Sequence, residues 1–306
     1  MYDVIKKRKT RNVVRIILSI FFVISVFVSF IAGVVAVVFS NVDMMKKSVV
    51  TDKYIDSLYS AISLNLEYEC LSLSVDYGSI AEGVDKEILR TLSEQYYENV
   101  GNAVLHNVEM KEIAYPQDKF LERVRDFFAA YQQENAVTIP EGQDIVIASG
   151  LAKVVAGDIC IFGQNITTRF APVTSAIEAL LSVLRVILFV AIVLSLGLGV
   201  LIFFTGSKSR PKKFFQLAAP LFIVASLIFA PFASFVLLDP MKNLAIGASP
   251  LREAVTGYFN TAFSNVFVSA LIFFIITAVL LVCSIVFSSR IKTSVHRSTE
   301  DGSPEA

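Results

Sequence analysis

The chain has no tryptophan, only three cysteines and two histidines, and just 14 glycines and 9 prolines among its 306 residues. So few cysteines exclude a disulfide-dense secreted scaffold, and so little glycine and proline excludes a collagen or a low-complexity linker. Lys and Arg number 27, as do Asp and Glu, which leaves no basic excess to attract nucleic acid. Charged residues make up 18% of the chain and apolar ones 55%, and the mean hydropathy is +0.64. Such a composition belongs to a membrane protein.

Reactive constellations are also missing. His106 and His296 occupy no metal-ligand spacing, there is no Cys-x-x-Cys pair, and no Gly-rich loop ends in Lys-Ser/Thr. Carboxylates such as Glu67, Glu69, Glu94, Glu98, Glu109 and Glu112 follow no calcium-loop order. No catalytic residue, cofactor or metal is therefore expected, and the chain is expected not to be an enzyme.

What the chain does have is long oily runs. Ile16 to Phe39 carries no charge and is long enough to cross a hydrocarbon layer of roughly 30 Å. A cleaved signal peptide is the competing reading, because Lys6, Lys7, Arg8, Lys9 and Arg11 precede the run. Signal cores span only about 7–15 residues, however, and the longer run favours a retained anchor. Further spans are expected over 179–205, 214–238 and 263–288, whose long runs 186–205, 214–238 and 263–287 contain no Asp, Glu, Lys or Arg. The expected fold is an all-α membrane protein of four transmembrane helices, with an α-helical extracytoplasmic domain inserted between the first and second.

Orientation follows from the basic flanks. Segment 1–15 is basic, and the loop 206–213 carries Lys208, Arg210, Lys212 and Lys213 without an acid. Both are expected in the cytoplasm, together with 289–306, read as a disordered tail. Segment 40–178 lies outside in this scheme, and residues 41–178 hold 11 Lys and Arg against 21 Asp and Glu. The expected location is the plasma membrane, multi-pass, with both termini cytoplasmic.

The outer segment reads as a helical bundle. No Gly or Pro interrupts 36–77, so the first span is expected to continue as a stalk into a helix with Tyr54, Leu58 and Ile62 on one stripe. Val84, Ile88, Leu92, Tyr96, Val100 and Val104 recur every four residues, and Phe120, Val124, Phe127, Phe128 and Tyr131 line another helix. Residues 144–161 are apolar nearly all round and are expected at the centre. Pro172 opens a helix leading into the second span. Segment 239–262 is an outer loop in which Ser249-Pro250 starts a short helix that either lies on the surface or contacts the bundle.

Several residues stand out. Cys70 and Cys160 share the outer side and are either disulfide-bonded or two buried thiols. Asn165-Ile166-Thr167 is a glycosylation sequon. Small residues recur every fourth position at Ser25, Ser29 and Gly33, at Ala191, Ser195 and Gly199, and at Ser226, Ala230 and Ser234, which allows close helix approach within the bundle or to another membrane protein. Pro220 and Pro231 are expected to bend the third span. Glu178 and Arg185 are expected as interfacial anchors sharing one helix face.

Asp52-Lys53-Tyr54-Ile55, Gly83-Val84-Asp85-Lys86-Glu87-Ile88 and Tyr96-Tyr97-Glu98-Asn99-Val100, set in this order of parts, resemble the outer domain of uncharacterised four-span membrane proteins of Gram-positive bacteria. The resemblance implies no reaction and no catalytic residue. A four-span, permease-like cell-division protein shares the layout, but its cytoplasmic signature between the second and third spans is missing here. The expected role is non-enzymatic: the outer domain senses or binds a protein at the cell surface, and the spans contact the lipid bilayer and another membrane or cell-surface protein. The alternative is a transporter, or a membrane subunit of a transport complex.

Overall fold

A computed structural model of the chain describes residues 2–163, 171–205, 210–238 and 240–300. The chain is 84% helical, and the described residues contain no strand. The sequon at Asn165 and residues 206–209 lie outside the described residues. The helices are α1 (Tyr2–Val37), α2 (Val42–Val49), α3 (Asp52–Leu73), α4 (Tyr77–Ala81), α5 (Lys86–His106), α6 (Asp118–Asn135), α7 (Gln143–Ile159), α8 (Ala171–Thr205), α9 (Arg210–Leu238) and α10 (Ser249–Glu300), with a 3-10 turn at Pro240–Asn243. They divide into two compact units, one of residues 1–39, 182–239 and 262–306, the other of 40–181 and 240–261.

The first unit contains the oily helices. Asn12–Val37, Ala171–Thr205, Phe214–Leu238 and Ser249–Phe287 are long and apolar enough to cross a membrane, and at most 17% of each hydropathy window is buried within the protein. Helices this apolar with so little internal cover require a hydrocarbon solvent, which makes this a multi-pass membrane protein. Phe22, Leu198 and Ile202 join α1 to α8, while Val224, Ile228 and Ala270 join α9 to α10. Between α9 and α10 the packing is aromatic, with Phe229 5.1 Å from Phe274 and 5.6 Å from Phe267.

The small-residue stripes of the first two spans meet. The Ser25 and Ser195 hydroxyls are 2.9 Å apart, and both lie within donating distance of the Ala191 carbonyl, at 2.9 and 2.7 Å. A Cβ on Gly33 would sit 3.7 Å from Leu188, and one on Gly199 3.5 Å from Phe22. The third stripe does not pack. Ala230 and Ser234 are exposed, and Ser226 bonds to the Phe222 carbonyl of its own helix. The packing face of α9 is instead Ala218, Val224, Ala225 and Ile228, on the opposite side of a helix that turns about 100° per residue. Pro220 and Pro231 both lie inside continuous α9.

The second unit is a helical packet around one apolar core. Tyr54, Leu58, Ile62 and Leu66 of α3, Leu89, Tyr96 and Val100 of α5, Phe120 and Val124 of α6, and Leu151, Val155 and Ile159 of α7 form one core. The stalk expected from α1 is absent. Asn41 caps α2 by accepting the Met44 N–H at 2.9 Å, and Thr51 caps α3 by accepting the Tyr54 N–H at 3.3 Å. A side-chain cap starts a helix without Gly or Pro, so two breaks occur where none was expected. In α5 the expected row packs on the core, with Val84, Tyr96 and Val100 buried and Ile88, Leu92 and Val104 half-buried against it, and Leu89, Ser93 and Tyr97 widen the buried face because a fourth-residue row drifts about 40° per step. Helix α7 is central on one face only, since Ile145 and Val146 remain exposed.

Residues 240–261 complete this packet. Ala254 is part of the core, Tyr258 packs on it, and Ser57 donates to Ser249 at 2.7 Å. Contact with the packet, rather than a free surface helix, is therefore what forms. A packet confined to 40–178 would lack this part. Helix α10 also extends to Glu300, so the disordered tail expected from 289 is corrected up to that residue; 301–306 are not described. Glu178 and Arg185 are both exposed on α8.

Cys70 and Cys160 are buried thiols, not a disulfide. Burial, helped by the charges of Asp76 and Glu69, pushes the Cys70 thiol up to about 11. A maleimide should therefore leave both thiols unlabelled in the native protein and label both after denaturation, as read by intact mass without reductant.

Two glycines give opposite expectations. A Cβ on Gly257 would lie 2.4 Å from the Ser48 carbonyl oxygen, whereas one on Gly150 would meet nothing within 4 Å. Gly257→Ala should cost about 1–3 kcal/mol through forced displacement of backbone. Gly150→Ala should stabilise by about 0.5–1 kcal/mol as an unobstructed helix glycine. Thermal melts followed by circular dichroism should move in opposite directions.

Candidate interaction surfaces

The buried polar groups of the packet are held in their neutral forms. Tyr54, Tyr96 and Tyr97 stack edge to face, with ring centroids 5.6 and 5.4 Å apart. The Tyr96 hydroxyl accepts the Phe162 N–H at 2.9 Å and donates to the Gly163 carbonyl at 3.2 Å. The hydroxyls of Tyr54, Ser93 and Tyr97 are sealed from solvent near one another without reaching ordinary hydrogen-bond geometry. Each such buried hydroxyl costs on the order of 1–3 kcal/mol, which the surrounding apolar burial offsets. Burial raises all three phenols above their usual range, so none is poised as a base.

The surface is laced by ion pairs that join neighbouring helices. Lys46 meets Glu98 at 2.9 Å, Lys86 meets Asp56 at 2.7 Å, Arg123 meets Glu82 at 3.0 Å, Arg125 meets Asp144 at 2.7 Å, and Arg90 pairs with Asp52. Exposed pairs of this kind contribute only about 0–1 kcal/mol each. Among the described residues no cluster of His, Cys, Asp and Glu could hold a metal. His106 is exposed at the last turn of α5, and the side chain of His296 is not described.

Against this polar surface the outer side of α3 is apolar. Leu64, Tyr68 and Leu71 of α3 are 52%, 65% and 70% exposed. Their spacing of four and three residues makes one stripe, on the side of α3 away from Ile62 and Leu66. Sequence reading fixed on the buried stripe and missed this second one, although the same periodicity marks it. Next to Leu64, Asn65 donates to both carboxylate oxygens of Asp158 at 2.9 Å, tying α3 to α7.

A second surface feature lies in the membrane unit. A groove of about 610 Å³ separates α1 from α9. Asn12, Arg15 and Ser19 of α1 and Gln216 of α9 make one end polar, and Ile24 and Ile223 make the other apolar. Arg15 Nε donates to the Thr205 carbonyl at the end of α8, at 3.0 Å, where a cation is favourably placed. No sequence signal had marked Arg15 or Gln216 as a pair, because α1 and α9 are distant in the chain.

No protein-family model matches the chain, and neither does a curated protein or a solved structure. The resemblance to Gram-positive four-span proteins therefore rests on layout and short segments alone.

Asp158 provides a pH test of the α3–α7 contact. Burial raises its carboxyl above the ordinary 3.8, and the Asn65 N–H opposes this only in part. A raised folded-state value contributes stability that is fully present below the unfolded value and lost as pH rises through the folded one. At neutral pH the charge thus works against folding. Asp158→Asn should melt higher than the parent at pH 7, and the two should converge below the ordinary carboxylate range.

Proposed function

We propose that the chain is a non-enzymatic plasma-membrane protein whose helical packet stands outside the cell and docks a second protein through the α3 stripe. Both termini are cytoplasmic in this reading, which the basic residues flanking the oily helices support. The acidic excess of 41–178 is consistent with that side. The observation that carries docking is the exposed row Leu64, Tyr68 and Leu71, on a packet whose other large apolar side chains mostly close one core. An exposed apolar row framed by polar residues such as Asn65 and Glu67 is the usual form of an interaction face. Its spacing suits a helix laid along it, with the three side chains as anchors.

Two measurements on the full chain test this reading. A photo-crosslinking residue at Tyr68 in native membranes should give a discrete protein adduct that Leu64→Asp with Leu71→Asp reduces at least about tenfold, since a lost anchor costs on the order of 2 kcal/mol or more. Adducts to lipid alone, or an equal yield from a probe at Lys153, would defeat docking. For sidedness, an impermeant maleimide on intact cells should label Glu67→Cys, and should label Lys7→Cys only after permeabilisation, both in a Cys283→Ser background.

A further inference from the structure

The groove between α1 and α9 grades from polar to apolar on both walls, and the two gradients run the same way. Along α1, Asn12, Arg15 and Ser19 give way to Ile20 and Ile24; along α9, Gln216 is followed by Pro220 and Ile223. A groove with a wet head and an oily tail, on helices that cross a bilayer, has the shape of an amphiphile. Its volume of about 610 Å³ falls in the range of about 300–1,000 Å³ usual for small-molecule sites. Ile20 and Ile24 are about half exposed, so the groove opens sideways to the surrounding solvent, which for these helices is lipid.

The polar end selects the headgroup. Arg15 brings a permanent positive charge, and among the described residues no Asp or Glu lines the groove, so an anion is favoured and phosphate matches the guanidinium. Phosphate alone leaves something unmet. Among the described residues Gln216 Oε1 is buried without a hydrogen-bond partner, and Pro220 supplies no N–H to the main-chain carbonyl of Gln216 four residues back. Both are acceptors, and they call for a donor close to the phosphate. A phosphatidate offers charge with little donor capacity, and an ethanolamine headgroup offers donors without net charge. A glycerol headgroup offers both.

We infer that the α1–α9 groove is a binding site for an anionic glycerophospholipid of the phosphatidylglycerol type, its phosphate at Arg15, its headgroup hydroxyl donating to Gln216, and an acyl chain along Ile20, Ile24 and Ile223. The site requires only that these helices cross a bilayer, and it stands or falls separately from the docking role of α3.

The test uses the full chain in phosphatidylcholine nanodiscs containing equal small fractions of phosphatidylglycerol and phosphatidate, with retained lipids counted by native mass spectrometry. The expected result is one tightly held phosphatidylglycerol per chain, enriched about tenfold over phosphatidylcholine, the effect of about 1.4 kcal/mol of preference. Arg15→Gln should abolish the enrichment and Arg15→Lys should restore part of it. Because Arg15 also holds Thr205, Gln216→Leu is the second variant: it should keep the preference for anionic lipid but lose that for phosphatidylglycerol over phosphatidate. Equal retention of all three lipids by the parent, unchanged retention in Arg15→Gln, or displacement by millimolar inorganic phosphate, which would mark a free-anion site, would each overturn the assignment.

Discussion

In hydrocarbon no water is available to satisfy a peptide group, and this constraint organises the first unit completely. Its backbone is helical because only a helix bonds every interior N–H and C=O within one segment. The same rule governs its hydroxyls. Ser29, Ser195, Ser226, Ser234, Ser269, Thr277 and Ser284 each donate to the carbonyl four residues earlier in their own helix. A hydroxyl satisfied in this way can face lipid, which is why Ser234 is tolerated on an exposed face. Ser25 differs, since it reaches across to the Ala191 carbonyl of α8. Cross-helix bonds of this type contribute about 0.6 kcal/mol on average in membranes, so Ser25 fixes register more than it adds stability. Close packing around it is set by size, with Gly33 and Gly199 admitting Leu188 and Phe22.

The second unit obeys the rules of water. Its helices begin at polar caps such as Asn41, Thr51, Asp76 and Asp85, whose side chains accept N–H groups that a helix start leaves over. Stability comes from the buried faces of α3, α5, α6 and α7, and the surface ion pairs add little. Closure depends on a part distant in sequence. The start of α10 approaches so closely that Gly257 lies against the Ser48 carbonyl, and only a residue without a side chain fits there.

How much of this could be read from the sequence depended on whether a feature is local. Charge-free runs of hydrocarbon length located the four oily helices, apolar periodicity located α5 and α6, and an apolar stretch after Pro140 and Gly142 located α7, because each signal lies within one segment. Helix breaks at 38–41 and 50–51 were missed because Gly and Pro were taken as the only punctuation, while Asn41 and Thr51 end and restart helices by capping. The stripe Ser226, Ala230 and Ser234 misled for a related reason: small residues permit close packing but do not say which face of a helix a neighbour occupies. Contacts made by folding were out of reach. Neither the seat of Ala254 in the core nor the groove that Arg15 shares with Gln216 leaves any periodic trace, since each pairs distant segments of the chain.

Exposed apolar side chains carry opposite meanings in the two units. On the oily helices, the exposure of Phe204, Leu237 or Ile20 is what a lipid solvent demands, and only a break in that pattern is informative. The groove that Arg15 shares with Gln216, whose buried Oε1 meets no partner among the described residues, is such a break. On the packet, whose surface is otherwise laced with ion pairs, the apolar row of α3 is itself the break. The ionisable groups inside the packet point the same way. Burial holds Cys70 and the three core phenols protonated and raises Asp158 toward its neutral form. The apolar row that α3 offers to its surroundings is the physical basis for the proposal that the packet is a binder.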